Sequence, residues 1–190
     1  MSLKNLTILS IIGFISISSC KKDDPVTPVI PNEEEVITTL IYTLTDTADA
    51  TNTITLRYRD LDGDGSNAPI ISSGTLNDSS VYAGSIILLN ETDTNDVENI
   101  TLEILEEDED HQFFFVPTAS GLTVTYNDSD SLGNPIGLST NLTTGLAGTG
   151  NLTITLKHEP NKDATGVPEG DMTNAGGKTD IEVVFPISVQ

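Results

Sequence analysis

The two histidines of this sequence, His111 and His158, are the side chains best suited to binding a transition metal. Each has acidic neighbours: Glu107 and Asp110 precede His111, and Glu159 follows His158. Imidazole nitrogen together with carboxylate oxygen is a ligand set that zinc, copper and other first-row divalent ions accept. The alternative is that each histidine caps the edge of a hydrophobic core and hydrogen-bonds to a loop.

Strand parity predicts that the two histidines lie on the same rim of a sheet. His111 shares its parity with Phe113 at the beginning of one predicted strand, and His158 shares that of Ile154 at the end of another. If the two strands are antiparallel neighbours, the start of one lies beside the end of the other. We therefore predict a joint site of His111 and His158 with one or two of the acids beside them.

A second stretch has the spacing of a calcium loop. Asp60, Asp62 and Asp64 occupy its first, third and fifth positions, and Gly65 occupies the sixth. An EF-hand needs a bidentate Glu at the twelfth position, where this chain has Ile71. The spacing allows a partial calcium site closed by a distant carboxylate, or an ordinary Asp- and Gly-rich turn.

The sequence does not predict an enzyme. It has two histidines and one cysteine, and it lacks both the G-x-S-x-G and the H-E-x-x-H patterns. Paired carboxylates are common in a chain with 29 acidic residues, so they do not indicate glycosidase chemistry.

Short runs of alternating apolar and polar residues, interrupted by Gly, Asn, Asp and Pro, predict a mainly β domain. Seven strands without a cysteine pair or a tryptophan predict an immunoglobulin-like antiparallel sandwich. The predicted strands are near 36–46, 53–59, 83–90, 112–116, 122–127, 151–158 and 181–189. Their inward residues include Ile54, Leu56, Tyr58, Ile181, Val183, Phe185, Ile187 and Val189.

One short helix is predicted within residues 95–105, behind an Asn/Asp cap. Its apolar face consists of Val97, Ile100, Ile104 and Leu105. The acidic residues 106–110 extend the pattern, but negative charges at a helix C-terminus oppose the macrodipole and should fray that end.

The only cysteine, Cys20, follows a stretch typical of a secretory signal peptide. Lys4 precedes a largely apolar run over residues 6–18, which is too short to span a membrane stably. Residues 17–20, Ile-Ser-Ser-Cys, resemble the lipobox of bacterial lipoproteins, whose cysteine is lipidated. We expect residues 1–19 to be removed and acylated Cys20, which carries palmitate-type chains, to anchor the protein in a lipid bilayer.

Residues 20–35 are predicted to form a disordered tether, because they contain Pro25, Pro28 and Pro31 and little apolar surface. The sandwich domain is predicted to span residues 36–190. Lys-Lys-Asp-Asp at residues 21–24 resembles the tag that directs some Gram-negative lipoproteins to the outer face of the outer membrane. This resemblance implies a cell-surface location.

The charge balance excludes some partners and favours others. Eight basic and 29 acidic residues give a formal net charge of −21. Such a surface repels phosphate, so nucleic acid is excluded as a partner, whereas cations and basic protein surfaces are attracted.

Four segments together resemble a known family. EEEVITTL, LRYRDLDGDGSNAP, EEDEDHQFFF and LKHEPNK occur in the order typical of small surface lipoproteins that are sometimes named type 1 periplasmic-binding-fold proteins. A true periplasmic-binding fold has two lobes of repeated strand-helix units, which this pattern does not predict. The resemblance implies a surface lipoprotein and no catalytic residue.

These observations lead to two expectations of function. The first is a non-catalytic, surface-anchored module that binds a divalent metal or small solute beside an outer-membrane uptake receptor. The second is an adhesion or structural module that is stabilised by calcium and binds a protein or glycan.

Overall fold

The structure is a computed structural model that describes residues 35–63 and 65–190. The predicted signal peptide, Cys20 and nearly all of the predicted tether lie outside these residues, as does Asp64. The described strands are β1 (Thr39–Asp46), β2 (Thr53–Arg59), β3 (Ile70–Ser72), β4 (Thr75–Leu76), β5 (Val81–Leu89), β6 (His111–Pro117), β7 (Thr123–Tyr126), β8 (Ser139–Thr143), β9 (Gly148–His158) and β10 (Lys178–Val189).

The strands form two sheets. The first has six antiparallel strands in the order β3-β2-β1-β5-β8-β7. The second has the order β4-β10-β9-β6, in which β10 is antiparallel to β9, β9 is antiparallel to β6, and the short β4 is parallel to β10.

The core follows from the alternation of side chains along the strands. Leu40, Tyr42 and Leu44 of β1 are fully buried, and the alternate residues of β10 from Ile181 to Val189 are buried as predicted. Alternation with period two gives each sheet one apolar face. The mainly β sandwich predicted from the sequence is thus confirmed, while its immunoglobulin-like type stays a prediction.

Three strands, β3, β4 and β8, are not predicted by the sequence pattern. β3 and β4 have only three and two residues, which is too short for a period to be visible. In β8 a threonine, Thr140, occupies an inward position and is buried through a 2.7 Å hydrogen bond between its hydroxyl and that of Tyr42. Its polar side chain conceals the apolar alternation of the strand.

The helix is shorter than the sequence predicts. α1 spans Ile100–Glu106, and the side chain of Asn99 caps it by accepting a hydrogen bond from the Thr101 amide. Ile100 and Ile104 face the core, but Leu105 is 50% exposed. Beyond Glu106 the chain forms a separate 3-10 turn over Asp108–Asp110, as expected if acidic residues oppose an extended α-helix. No helix in the described part of the chain is long and apolar enough to cross a membrane.

Candidate metal site

Four side chains from distant parts of the chain converge at one end of the four-stranded sheet. They are Glu35, His111, His158 and Asp180, and each offers one ligand atom within 4.8 Å of the others. The group combines two imidazoles with two carboxylates. A metal ion could be held by this donor set.

The two histidines meet because their strands are antiparallel neighbours. His111 is the first residue of β6, His158 is the last residue of β9, and the two are directly paired. Their ring centroids are 4.6 Å apart, and the ring planes are inclined by 40°. The shared rim predicted from strand parity is confirmed.

The backbone determines which nitrogen of His111 faces the group. Nδ1 of His111 lies 3.0 Å from the carbonyl oxygen of Glu107. A carbonyl oxygen only accepts hydrogen bonds, so the proton of a neutral ring belongs on Nδ1 and the lone pair is on Nε2. Histidines that bind metals are commonly oriented by such a bond from their second nitrogen.

Asp180 enters the group through an irregularity in β10. The pairing of β10 with β9 shifts register between Thr179 and Ile181, which makes Asp180 the extra residue of a β-bulge. Regular alternation would place Asp180 on the face opposite Ile181. A bulge changes the direction of one side chain, and the Asp180 side chain is fully buried beside the histidines.

Glu35 enters the group from just before β1. The sequence pattern assigns it to the tether, but only 4% of its side chain is exposed. Its Oε1 lies 3.1 Å from Nε2 of His111, and its Oε2 lies 3.6 Å from Nδ1 of His158. The first residue that the structure describes is therefore a residue of the site.

The separations between ligand atoms suit one shared ion. Besides the two Glu35 distances, His111 Nε2 lies 3.9 Å from Asp180 Oδ2, and His158 Nδ1 lies 3.8 Å from Asp180 Oδ1. Ligand atoms about 2.05 Å from a tetrahedral zinc ion lie about 3.3 Å apart. To reach that spacing, the Glu35–His158 pair would contract by about 0.3 Å and the two Asp180 pairs by about 0.5–0.6 Å.

Burial makes the charge of this group costly without a cation. The side chains of His111 and Asp180 are fully buried, and those of Glu35 and His158 are 4% and 6% exposed. Within the described residues, Glu35 Oε2 and His111 Nε2 make no hydrogen bond. Two carboxylates in such a place need compensating positive charge, from a divalent ion or from protonated imidazoles.

The structure does not bring the predicted acids Glu107, Asp110 and Glu159 into the group. Asp110 and Glu159 are exposed, and their backbones are joined by a hydrogen bond from the Glu159 amide to the Asp110 carbonyl. None of the three acids lies in a strand: Glu107 and Asp110 belong to the turn before β6, and Glu159 follows β9 with a positive φ of 50°. Of the three, Glu107 contacts a histidine, and it does so through its carbonyl oxygen.

In the predicted calcium loop, the carboxylates of Asp60 and Asp62 accept hydrogen bonds from residues in or next to the loop. Asp62 Oδ2 accepts hydrogen bonds from the Asn67 side-chain amide at 2.8 Å and from its backbone amide at 3.3 Å. Asp60 accepts hydrogen bonds from the Asp62 amide and the Tyr58 hydroxyl. Hydrogen bonding by Asn67 lowers the pKa of Asp62. The third predicted ligand, Asp64, lies outside the described residues.

Sequence reasoning missed Glu35 and Asp180 for different reasons. Glu35 is adjacent to a proline-rich stretch, and Asp180 immediately precedes the predicted strand 181–189. The only feature that could have indicated Asp180 is its position, as an acid directly before the alternating apolar residues 181–189. No protein-family model matches the chain, and the comparisons with curated proteins and with solved structures likewise found no match.

Proposed function

We propose that this protein is a lipid-anchored, non-catalytic module whose sandwich domain holds one divalent transition-metal ion. The observation that carries the proposal is the buried convergence of Glu35, His111, His158 and Asp180. When the His111 ring is neutral, the Glu107 carbonyl keeps its proton on Nδ1, so the Nε2 lone pair is available to an ion held between the carboxylates.

Zinc is the ion that this donor set favours. Two nitrogen and two oxygen ligands can complete a four-coordinate tetrahedron, which is the geometry of most structural zinc sites. Calcium prefers six to eight oxygen ligands and accepts imidazole poorly, so the same group disfavours it. Copper accepts imidazole and carboxylate as well and is the competing ion to test.

The site supports retention of an ion more than catalysis. All four ligands come from the protein, and their side chains are at most 6% exposed. Catalytic zinc sites keep one coordination position open for water or substrate. A closed site of this kind would stabilise the domain, because the ion binds the folded chain and the unfolded chain has no preformed site.

The anchor is proposed from the sequence. The lipobox at residues 17–20 and the tag at residues 21–24 support acylation of Cys20 and display on the outer membrane. The proline-containing stretch that follows Cys20 would serve as the spacer between the bilayer and the domain. Its high negative charge also attracts cations to the surface.

The proposal is tested by calorimetric titration of the full chain, purified in detergent and stripped of metal with a chelator. Zinc, copper and calcium are titrated in separate experiments. We expect one equivalent of zinc or copper to bind, and we expect calcium not to bind at the histidines. His158→Gln should abolish this binding, whereas the control Glu159→Gln, an adjacent exposed acid, should retain it.

A folded parent chain that binds neither zinc nor copper would contradict the proposal. The four side chains would then form a buried ion-pair cluster whose imidazoles supply the positive charge. Circular dichroism on each variant establishes that a loss of binding is not a loss of the fold.

A further inference from the structure

Glu35 is held by the chain differently from the other three residues of the site. His111, His158 and Asp180 lie on β6, β9 and β10, which are neighbours in the four-stranded sheet. Glu35 precedes β1, which lies inside the six-stranded sheet. An ion bound to all four residues would therefore join the two sheets.

Residues 35–38, which we call the N-terminal arm, are attached to the six-stranded sheet mainly through Thr38. None of them lies in a helix or strand, and Val36 is 58% exposed. Thr38 is buried: its amide donates a hydrogen bond to the Leu89 carbonyl at 3.0 Å, its hydroxyl accepts one from the Glu91 amide at 2.7 Å, and its carbonyl accepts one from the Asp60 amide at 2.8 Å. Ile37 packs on the core. The Glu35 carboxylate is the part of the arm that reaches the four-stranded sheet.

We propose that the bound ion latches the N-terminal arm, and that the ion enters and leaves when Glu35 withdraws. This inference rests on the proposed function, since it assumes that the site binds a divalent first-row ion. His111 and His158 are fixed by the ladder between β6 and β9, and Asp180 lies in the bulge of β10 between the paired residues Thr179 and Ile181. Glu35 is the ligand whose backbone can move without breaking a strand.

The latch has a consequence for how the domain is attached. The arm follows the predicted tether in the sequence, so the ion would fix the first described residue of the sandwich domain. With the ion bound, that residue is held at the rim formed by His111 and His158. Without the ion, the two buried carboxylates lack a divalent counter-ion, and opening of the arm becomes easier.

Amide hydrogen exchange of the full chain in detergent, with and without zinc, tests the latch. The reporter is the Thr38 amide, and the control is the Thr47 amide, which bonds to the Val81 carbonyl at the other end of β1. Zinc at a hundredfold excess over its Kd suppresses openings that release the ion by up to about a hundredfold. We expect Thr38 exchange to slow by at least about tenfold, and Thr47 exchange to change much less.

Two variants of the site separate the arm from the rest of the metal centre. In Glu35→Gln, zinc should bind more weakly, dissociate faster and no longer protect the Thr38 amide. In Asp180→Asn, binding should also weaken, but saturating zinc should still protect Thr38 because Glu35 remains. Glu159→Gln should behave as the parent in both measurements.

The outcomes distinguish this inference from the proposed function. Zinc binding by the parent without protection of Thr38 would overturn the latch and leave the metal site intact. Equal zinc dissociation rates for Glu35→Gln and Asp180→Asn would also overturn it, since Glu35 would then not be the gate. A parent that binds no transition metal would overturn both, and that result needs no variant to fold.

Discussion

The imidazoles of His111 and His158 lie with their ring centroids 4.6 Å apart, as a direct cross-strand pair between the first residue of β6 and the last residue of β9. The pair places two nitrogen donors at the end of the four-stranded sheet where the pairing of β6 with β9 ends. Asp180 and Glu35 complete the group from a bulge and from the N-terminal arm.

Metal removal should lower the thermal stability of the parent chain. Zinc at a hundredfold excess over its Kd adds about 2.7 kcal/mol to the free energy of unfolding by mass action. For a chain of this size, that corresponds to a rise in Tm of roughly 5–10 °C. Differential scanning calorimetry with zinc and with a chelator measures the difference.

The double variant His111→Gln/His158→Gln serves as the comparison, and its Tm should be the same with zinc and with chelator. Asp110→Asn, a change at an exposed acid near His111, should keep the full zinc effect. A zinc effect that survives in the double variant would place the ion elsewhere in the chain.

Asp180→Asn should weaken zinc binding, whereas a similar change at an exposed acid on β10 should not. Removing a group that hydrogen-bonds to a metal ligand typically lowers metal affinity ~10–100-fold. Removing the charge of a ligand itself should lower the affinity by at least about the same factor. Glu182→Gln is the matched control, since Glu182 lies two residues along the same strand, is exposed and bonds to the Thr155 hydroxyl. Similar zinc affinities for the two variants would show that Asp180 is not a ligand.

Lys162 is predicted to be essential for stability. Its ammonium group lies 2.9 Å from Asp130 Oδ2 and also donates to the Asp108 carbonyl, and both side chains of the ion pair are almost fully buried. Lys162→Met leaves a buried carboxylate uncompensated and should cost about 3–5 kcal/mol of the free energy of unfolding. Lys157→Met removes the same charge from a half-buried site on β9 and should cost less than about 1 kcal/mol. Urea denaturation of both variants measures the contrast.

The same ion pair predicts a pH dependence with a definite sign. Burial raises the pKa of Asp130, but hydrogen bonds from Lys162 and the Asn134 amide outweigh burial and hold the pKa below its ordinary value of 3.8. A carboxyl group with a lowered folded-state pKa contributes stability that is complete above the ordinary value and is lost as pH falls through the folded value. The stability difference between the parent and Asp130→Asn should therefore be constant above about pH 5 and shrink below pH 4. A difference that grows on acidification would contradict this assignment.

Cys20→Ser should abolish lipid anchoring, because the serine has no thiol to accept the diacylglycerol. Radiolabelled palmitate should be incorporated into the parent but not into the variant, and detergent phase partitioning should change accordingly. Replacing residues 21–24 with alanine should keep the label and abolish cleavage by protease added to whole cells. Label retained in Cys20→Ser would remove the basis of the anchor.

The sequence by itself determined the class of the fold and half of the site. Alternation with period two is a local property, so it predicted the inner face of β10 and put His111 and His158 on inward positions at opposite ends of their strands. Antiparallel pairing of β6 with β9 then places the first residue of one strand beside the last residue of the other, which brings the two rings together. The alternation depends only on residues close in sequence, and the meeting of the rings depends only on the pairing of β6 with β9.

Only the tertiary structure decided which carboxylates complete the site. Nearest-neighbour reasoning selected Glu107, Asp110 and Glu159, but these acids lie in the turns that adjoin β6 and β9, and closeness in sequence does not direct their carboxylates to the histidines. Asp180 faces the histidines because a bulge shifts the register of β10, and Glu35 does so because the arm crosses from one sheet to the other. A bulge and a crossing between sheets depend on contacts distant in sequence, which local periodicity does not encode.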